Sequence, residues 1–159
     1  MATVYDDVVI RSGSSNDIDG VMTVMESAFG TRFGEAWTRS QLAGILPLTG
    51  VSLMVAFEAD ADDAVGFSLF RTIRDESELL LLAVKPSHQR RGVATRLLDQ
   101  LLERARKDRV TRVHLEVRDG NPAIGIYRKA GFSPIGRRRN YYYGHDGRGF
   151  DAVTLTYSF

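Results

Sequence analysis

The most informative stretch of the sequence is Gln89-Arg90-Arg91-Gly92-Val93-Ala94-Thr95, which lies between a predicted buried strand and a predicted long helix. A glycine at a helix start lets the backbone approach a ligand closely, and the free N–H groups of the first turn carry a partial positive charge. Such a turn binds anions, and Arg90 and Arg91 add full charges beside it. The Lys-Ser/Thr pair of a nucleotide-binding P-loop is missing. Alone, the stretch also fits an ordinary helix start with two solvated arginines.

Strand and helix patterns are mixed on both sides of this turn. Residues 78–84 form a nearly unbroken apolar run, typical of a strand buried on both faces, and 91–107 carry the apolar face of a helix. Residues 112–118 alternate strictly, as a strand does. Asn121 is a helix cap by type, and Gly131 suits the end of that helix. The other predicted elements are strands at 8–11, 51–58, 64–73, 132–139 and 152–159 and helices at about 15–29 and 35–46.

The bulk composition predicts one α/β (α+β) domain spanning residues 1–159. No repeat or Pro/Gly/Ser linker divides the chain, and the elements predict a mixed central sheet of about 6–7 strands flanked by about 4 helices. Cysteine is absent, which excludes disulfides and thiol catalysis. No apolar run reaches the roughly 20 residues of a membrane span, and residues 1–10 lack an export signal. We therefore expect a cytoplasmic protein without a metal or a membrane partner.

Charge is unevenly divided between the two halves of the chain. Residues 1–84 hold 5 Arg and no Lys against 13 Asp and Glu, whereas residues 85–159 hold 16 Lys and Arg against 7 Asp and Glu. One half could attract a polyanionic ligand and the other a cation, although two solvated faces would give the same numbers.

Four motifs together resemble the GCN5-related N-acetyltransferase (GNAT) superfamily over most of the chain. They are Leu80-Leu81-Leu82-Ala83-Val84-Lys85-Pro86, Gln89-Arg90-Arg91-Gly92-Val93-Ala94, Leu115-Glu116-Val117-Arg118 and Ile126-Tyr127-Arg128-Lys129-Ala130-Gly131-Phe132. The second fits the coenzyme A signature Q/R-x-x-G-x-G/A, and the fourth fits Y-x-x-x-G-F. The resemblance implies the GNAT fold, acetyl-CoA as co-substrate and direct transfer of the acetyl group to an amine.

The resemblance also implies which residues bind the coenzyme. The strand residues Leu82, Ala83 and Val84 would offer backbone groups to the pantetheine arm, as an added strand would. The pyrophosphate would lie on the turn and the helix start, at Gln89, Arg90, Arg91, Gly92, Val93, Ala94 and Thr95. Asn121 is a further candidate, but it precedes Tyr127 by six residues where the family pattern has seven.

Two residues match the family's acid–base pair. Glu116 would be the general base, acting through a water, and Tyr127 the general acid for the departing thiolate. A phenol with a pKa of about 10 donating to a thiolate near 8.5 is uphill by roughly 2 kcal/mol. By pattern alone, Glu116 could be a surface carboxylate paired with Arg118, Tyr127 a core aromatic, and His114 another base.

The acceptor is indicated by the tail Arg138-Arg139-Asn140-Tyr141-Tyr142, which resembles the bacterial members that acetylate the N-terminal alanine of a small-subunit ribosomal protein. This implies a protein N-terminus as partner, with Trp37, Tyr141 and Tyr142 lining its groove. Alternatives are acetylation of a small-molecule amine or a lysine side chain, a coenzyme A-binding sensor, and an RNA-binding module. The arginine-rich segments favour the last, but no aromatic-interleaved RNA signature accompanies them, so no direct nucleic-acid binding is expected.

Overall fold

In the computed structural model, which describes residues 7–159, seven strands form one mixed sheet. They are β1 (Val8–Ser12), β2 (Val51–Glu58), β3 (Ala64–Ile73), β4 (Glu76–Val84), β5 (Arg112–Arg118), β6 (Ser133–Tyr143) and β7 (Gly149–Ser158). Their order in the sheet is β1-β2-β3-β4-β5-β7-β6. Every neighbouring pair is antiparallel except β4 and β5, which run parallel. The helix that joins those two strands must therefore cross one face of the sheet.

Within the described residues there are four α-helices, α1 (Ile18–Phe29), α2 (Arg39–Ile45), α3 (Val93–Lys107) and α4 (Ile124–Ala130). Side chains fix two of the starts. Ser14 accepts the N–H of Asn16 in the 3₁₀ turn before α1. At α2, the Thr38 hydroxyl accepts the N–H of Gln41, and the Gln41 side chain accepts the N–H of Thr38. This reciprocal capping satisfies two backbone donors that a helix start leaves unpaired.

The apolar side chains form a core on each face of the sheet. On one face, Val21 and Met25 of α1 and Leu42 of α2 pack with Phe67 and Leu69 of β3. On the other, α3 and α4 cover the sheet, and the residues packed there are Phe70, Leu79, Leu98, Leu101, Leu115, Tyr127 and Leu155. The side chains of β5 alternate between the two faces of the sheet. Leu115 therefore faces the core covered by α3 and α4, whereas Glu116 lies on the face covered by α1 and α2.

The predicted fold class is confirmed, and several boundaries are corrected. The helix predicted at 35–46 begins only at Arg39, because Thr38 is its cap, so Glu35 and Trp37 lie in the preceding loop. Helix α4 begins at Ile124 rather than after Asn121. Strand β4 is half exposed on alternate residues rather than buried on both faces. Strand β6 continues to Tyr143, four residues beyond its predicted end.

None of the helices in the described residues is long and apolar enough to cross a membrane. The expectation that no export signal is present concerns residues 1–10, of which 1–6 lie outside the described residues.

Candidate active site

The parallel pair β4–β5 separates halfway along β4. Its register runs from Glu76 opposite Arg112 to Leu79 opposite Leu115 and goes no further. At the same point the β3–β4 register passes from Phe70 opposite Leu79 to Leu69 opposite Leu81, so Leu80 is an extra, bulged residue. A bulge bends its strand and interrupts the ladder. The end of β4 therefore pairs with β3 and leaves its β5 side open, where Leu82, Ala83 and Val84 were predicted to receive the pantetheine arm.

The turn that follows β4 is shaped as an anion site. Gly92 has a φ of 78° and Arg90 a φ of 62°, both in the left-handed region that glycine tolerates best. No side chain caps α3, so the first-turn N–H groups of Val93, Ala94 and Thr95 remain available to a ligand. Arg90 and Arg91 are exposed beside them. These residues fit the diphosphate of coenzyme A.

Two contacts hold this turn against the sheet, one at the end of β4 and one at the end of β2. The side-chain amide of Gln89 donates to the carbonyl of Val84 at 3.0 Å, so this predicted cofactor residue has an anchoring contact of its own. His88 Nε2 lies against Glu58 Oε1 at the end of β2. The predicted strand edge and the predicted pyrophosphate turn are thus joined into one continuous surface.

A cleft that is open to solvent lies at the separation of β4 and β5. Its floor comes from Leu79 to Leu82 of β4 and from β5. It brings together six residues that the sequence singled out, namely Trp37, Glu116, Asn121, Tyr127, Tyr141 and Tyr142. Glu116 belongs to the α1 side of the sheet and Tyr127 to the α4 side, so they share the cleft only because the strands separate.

The Glu116 carboxylate is held by one ion pair and one hydrogen bond, and only 7% of its side chain is exposed. Arg138 Nε lies 3.1 Å from Oε1. The Thr154 hydroxyl donates to Oε2 at 2.5 Å. An ionised carboxylate has about four lone-pair sites, so both oxygens can still accept from a water in the cleft. The interpretation of Glu116 as a partner of Arg118 is therefore wrong.

Arg118 instead forms a buried pair with Glu35, which the sequence analysis missed. Its Nε lies 3.3 Å from Glu35 Oε1, and the two side chains are 12% and 10% exposed. Its guanidinium also stacks on the ring of Phe33 at 3.6 Å from the centroid. Glu35 lies in the loop before α2 and Arg118 at the end of β5. The two residues are far apart in the sequence, so no motif spacing indicates that they pair.

Asn121 completes the same network. Its amide Nδ2 donates to Glu35 Oε2 at 2.8 Å, and its Oδ1 accepts the N–H of Ala123 at 2.8 Å. The side chain thus caps the turn before α4 and ties it to the loop before α2. Its role as a coenzyme contact stays a prediction, since both ends of the amide are already engaged.

Tyr127 is buried between α4 and the sheet and reaches the cleft with its edge. Burial, and then the negative charge of Glu35, raises the pKa of its phenol above the ordinary value of 10.0. The hydroxyl therefore keeps its proton at any physiological pH. The same burial makes it a weaker acid than the sequence estimate assumed.

Tyr141 and Tyr142 reach the cleft because β6 is irregular. Its register with β7 shifts between Arg138 and Tyr142, and Asn140 there has a φ of 49°. The Tyr142 hydroxyl donates to the backbone carbonyl of Glu116 at 3.1 Å. The two tyrosine rings meet edge to face at 4.9 Å, and Tyr141 remains largely exposed.

Two loops, the first of which lines the cleft with Glu35 and Trp37, touch each other through glycines. These loops are residues 30–38, before α2, and residues 144–148, between β6 and β7. A Cβ on Gly34 would lie 1.8 Å from the Tyr143 carbonyl oxygen, and one on Gly144 would lie 2.1 Å from the Arg32 carbonyl oxygen. Phe33 packs edge to face against Phe150 at 4.9 Å. The loops therefore form one wall.

This fold and cleft are the ones that the resemblance to acetyltransferases predicted. Residues 21–132 match the acetyltransferase (GNAT) family, and the chain belongs to that family. The predicted superfamily and enzyme class are confirmed.

Named relatives agree with this assignment. The chain is 40% identical to the [ribosomal protein bS18]-alanine N-acetyltransferase of Escherichia coli K12 over 90 residues, which are 56% of this chain and 60% of the relative's length. The crystal structure of the Escherichia coli ribosomal-protein-S18-alanine N-acetyltransferase superposes with a TM-score of 0.84 at 27% identity, covering 95% of this chain and 93% of that one. Arabidopsis thaliana NAA60 in complex with acetyl-CoA shares the fold, with a TM-score of 0.82 at 17% identity and coverage of 96% and 98%.

The contact between the two loops predicts that adding a single methyl group at Gly34 lowers the stability of the protein. Gly34→Ala should lower the free energy of unfolding by about 1–3 kcal/mol more than Gly147→Ala, since only the first places its Cβ against a fixed carbonyl. Gly147 is the control, because its φ is also positive (82°) and a Cβ there meets nothing within 4 Å. Denaturant titrations of the two variants provide the comparison, and equal losses would contradict the loop contact.

The raised pKa of Tyr127 predicts how stability depends on alkaline pH. Above about pH 10 the unfolded chain releases the phenolic proton that the native state keeps, so the free energy of unfolding falls as pH rises. Each such phenol contributes at most about 1.4 kcal/mol per pH unit. Tyr127→Phe should therefore reduce the slope of unfolding free energy against pH between pH 10 and 12. An unchanged slope would show that the phenol is not buried in the native state.

Proposed function

We propose that the protein transfers the acetyl group of acetyl-CoA to the N-terminal amine of a protein, with the N-terminal alanine of a small-subunit ribosomal protein as its acceptor. The observation that carries the proposal is the shared cleft of Glu116 and Tyr127, which places a carboxylate and a protonated phenol at one opening in the sheet. The named bacterial relatives support the acceptor, since their names specify the alanine of ribosomal protein bS18.

The coenzyme would be held by backbone groups more than by side chains. Leu82, Ala83 and Val84 would bind its pantetheine arm along the open edge of β4, and the α3 start from Gly92 to Thr95 would bind its pyrophosphate. Acetyl-CoA, when bound, supplies the acetyl thioester. Trp37, Tyr141 and Tyr142 would hold the acceptor and keep water from the opening.

Glu116 would accept the proton that the acceptor amine releases. An N-terminal amine has a pKa of about 8, so part of it is already neutral near pH 7.5 and needs only modest help from a base. Because Arg138 is paired with one carboxylate oxygen and the Thr154 hydroxyl donates to the other, a bridging water is the simplest route from the amine to a remaining lone pair.

Tyr127 would hold a proton at Oη for the departing sulfur. Its raised pKa makes complete transfer more costly than the roughly 2 kcal/mol of an ordinary phenol. A hydrogen bond aimed at the charge that develops on sulfur offsets this cost, because the donor is preorganised in a partly desolvated cleft. The protonated phenol is therefore suited to stabilise the leaving group first and to protonate it last.

Removing either group should slow the chemical step. Glu116→Gln and Tyr127→Phe should each lower kcat by roughly 10- to 10⁴-fold, with coenzyme affinity nearly unchanged. Steady-state kinetics and calorimetric titration with coenzyme A measure the two quantities. Glu103→Gln and Tyr157→Phe change the same residue types away from the cleft and should keep wild-type rates. Unchanged turnover in both cleft variants would overturn the acid–base assignment.

The acceptor is tested with a panel of peptides and amines and acetyl-CoA, followed by release of the free thiol. We expect turnover on peptides with a free N-terminal alanine, and none on the same peptides after N-terminal blocking. The panel is completed by matched N-blocked peptides that contain lysine and, as a separate substrate, by a polyamine. Turnover confined to the lysine peptides or the polyamine would leave the assignment as an acetyltransferase intact and would refute the proposed N-terminal acceptor.

A further inference from the structure

Arg138 stands out because it is the partner of Glu116 yet is not one of the two predicted catalytic residues. Its Nε lies 3.1 Å from Glu116 Oε1, while 63% of its own side chain is exposed. An exposed ion pair between two flexible side chains contributes little to the free energy of folding. Here one partner is buried and held on its other oxygen by Thr154, so the contact fixes a carboxylate that has little freedom left.

The sheet explains how a residue two strands away reaches the base. The strands run β5-β7-β6, with Glu116 opposite Thr154 and Thr154 opposite Gly136. Arg138 is two residues beyond Gly136 on β6, on the same face, and lies opposite Ala152. Gly136 and Ala152 are the smallest residues available, so no side chain on the intervening positions blocks an arginine that reaches towards β5.

Two other nearby arginines, Arg118 and Arg137, already have acidic partners. Arg118, on the same strand as the base, is paired with Glu35 and stacked on Phe33. Arg137 is paired with Asp119 and Asp151. Tyr141 lies beside Arg138, with its ring centroid 5.8 Å from the guanidinium carbon, at the irregular end of β6.

We infer that Arg138 is a positioning residue for the transfer reaction, which holds the Glu116 carboxylate in the orientation that receives the proton of the acceptor amine. The inference rests on the proposed function, because it assigns Glu116 as the base. Arg138 acts through Glu116 and needs no contact with acetyl-CoA. Its loss should therefore act on the chemical step and leave the binding of either substrate nearly unchanged.

A double-mutant cycle with Glu116 tests this directly. Arg138→Ala should lower kcat about tenfold or more, with the KM of the acceptor peptide and the affinity for coenzyme A within about twofold of wild type. Arg138→Lys should recover part of the loss, since it restores the charge without the planar guanidinium. In the Glu116→Gln background, Arg138→Ala should have no further effect on kcat. Arg139→Ala, at a neighbouring arginine without an ion pair in residues 7–159, is the control and should keep the wild-type rate.

Two results would overturn the inference. One is an unchanged kcat in Arg138→Ala, and the other is a loss of the same size whether or not Glu116 is present. A measurement that does not depend on activity separates failure of the positioning role from failure of the proposed function. In protein labelled with ¹³C at the glutamate carboxyl carbon, the Glu116 resonance, assigned by its absence in Glu116→Gln, should move in Arg138→Ala and not in Arg139→Ala. If no peptide is acetylated but the resonance moves as expected, the acceptor assignment fails and the contact stands; if it does not move, the positioning role fails.

Discussion

The separation of β4 from β5 at Leu80 is the constraint on which the rest of the site depends. In a continuous parallel pair, backbone hydrogen bonds would seal the sheet between the face that carries Glu116 and the face that carries Tyr127. The bulge ends the ladder after Leu79 and Leu115, so the two groups meet in one cleft. The cost is a stretch of β4 backbone without a strand on one side, and buried amide groups need partners. A ligand with an extended amide-bearing arm would satisfy this need, which supports the proposal that the open edge and the turn at Gly92 form one site.

The division of charge along the chain is used within the fold. The acidic first half supplies Glu35, which pairs with Arg118 of the basic second half, and Glu76, which pairs with Arg112. Within the second half, Glu116 is paired with Arg138. At the cleft, the pair Glu35–Arg118 joins the two halves and orients the Glu35 carboxylate, in addition to any attraction of charged ligands from solution. Only 10% of the Glu35 side chain is exposed, so loss of Arg118 would leave an uncompensated charge and would be strongly destabilising.

The sequence predicted those features that depend on local pattern. The apolar face of α3, the strict alternation of β5 and the glycine at position 131 each specify an element through neighbours in the chain, and the structure has these elements. The residues of the cleft also carried a signal, through motifs at fixed spacing. Contacts between distant segments could not be predicted in this way. No residue near Glu35 in the sequence indicates that Arg118 is its partner, and none near Arg138 indicates that Glu116 is. The bulges at Leu80 and around Asn140 were missed for a related reason, since a one-residue shift in register is visible only against the partner strand. Helix α2 was predicted too early because Thr38 was not recognised as its cap.

The glycine contacts between the two loops have a consequence for how this enzyme could diverge. Gly34 lies against the backbone at Tyr143, and Gly144 lies against the backbone at Arg32, so neither loop can gain a side chain at these points while the other stays in place. Insertions or deletions in one loop would have to be matched by a compensating change in the other. We expect the two segments to be inherited as a unit, and grafting a new acceptor preference onto this scaffold to require exchange of both segments together, residues 30–38 with residues 140–150.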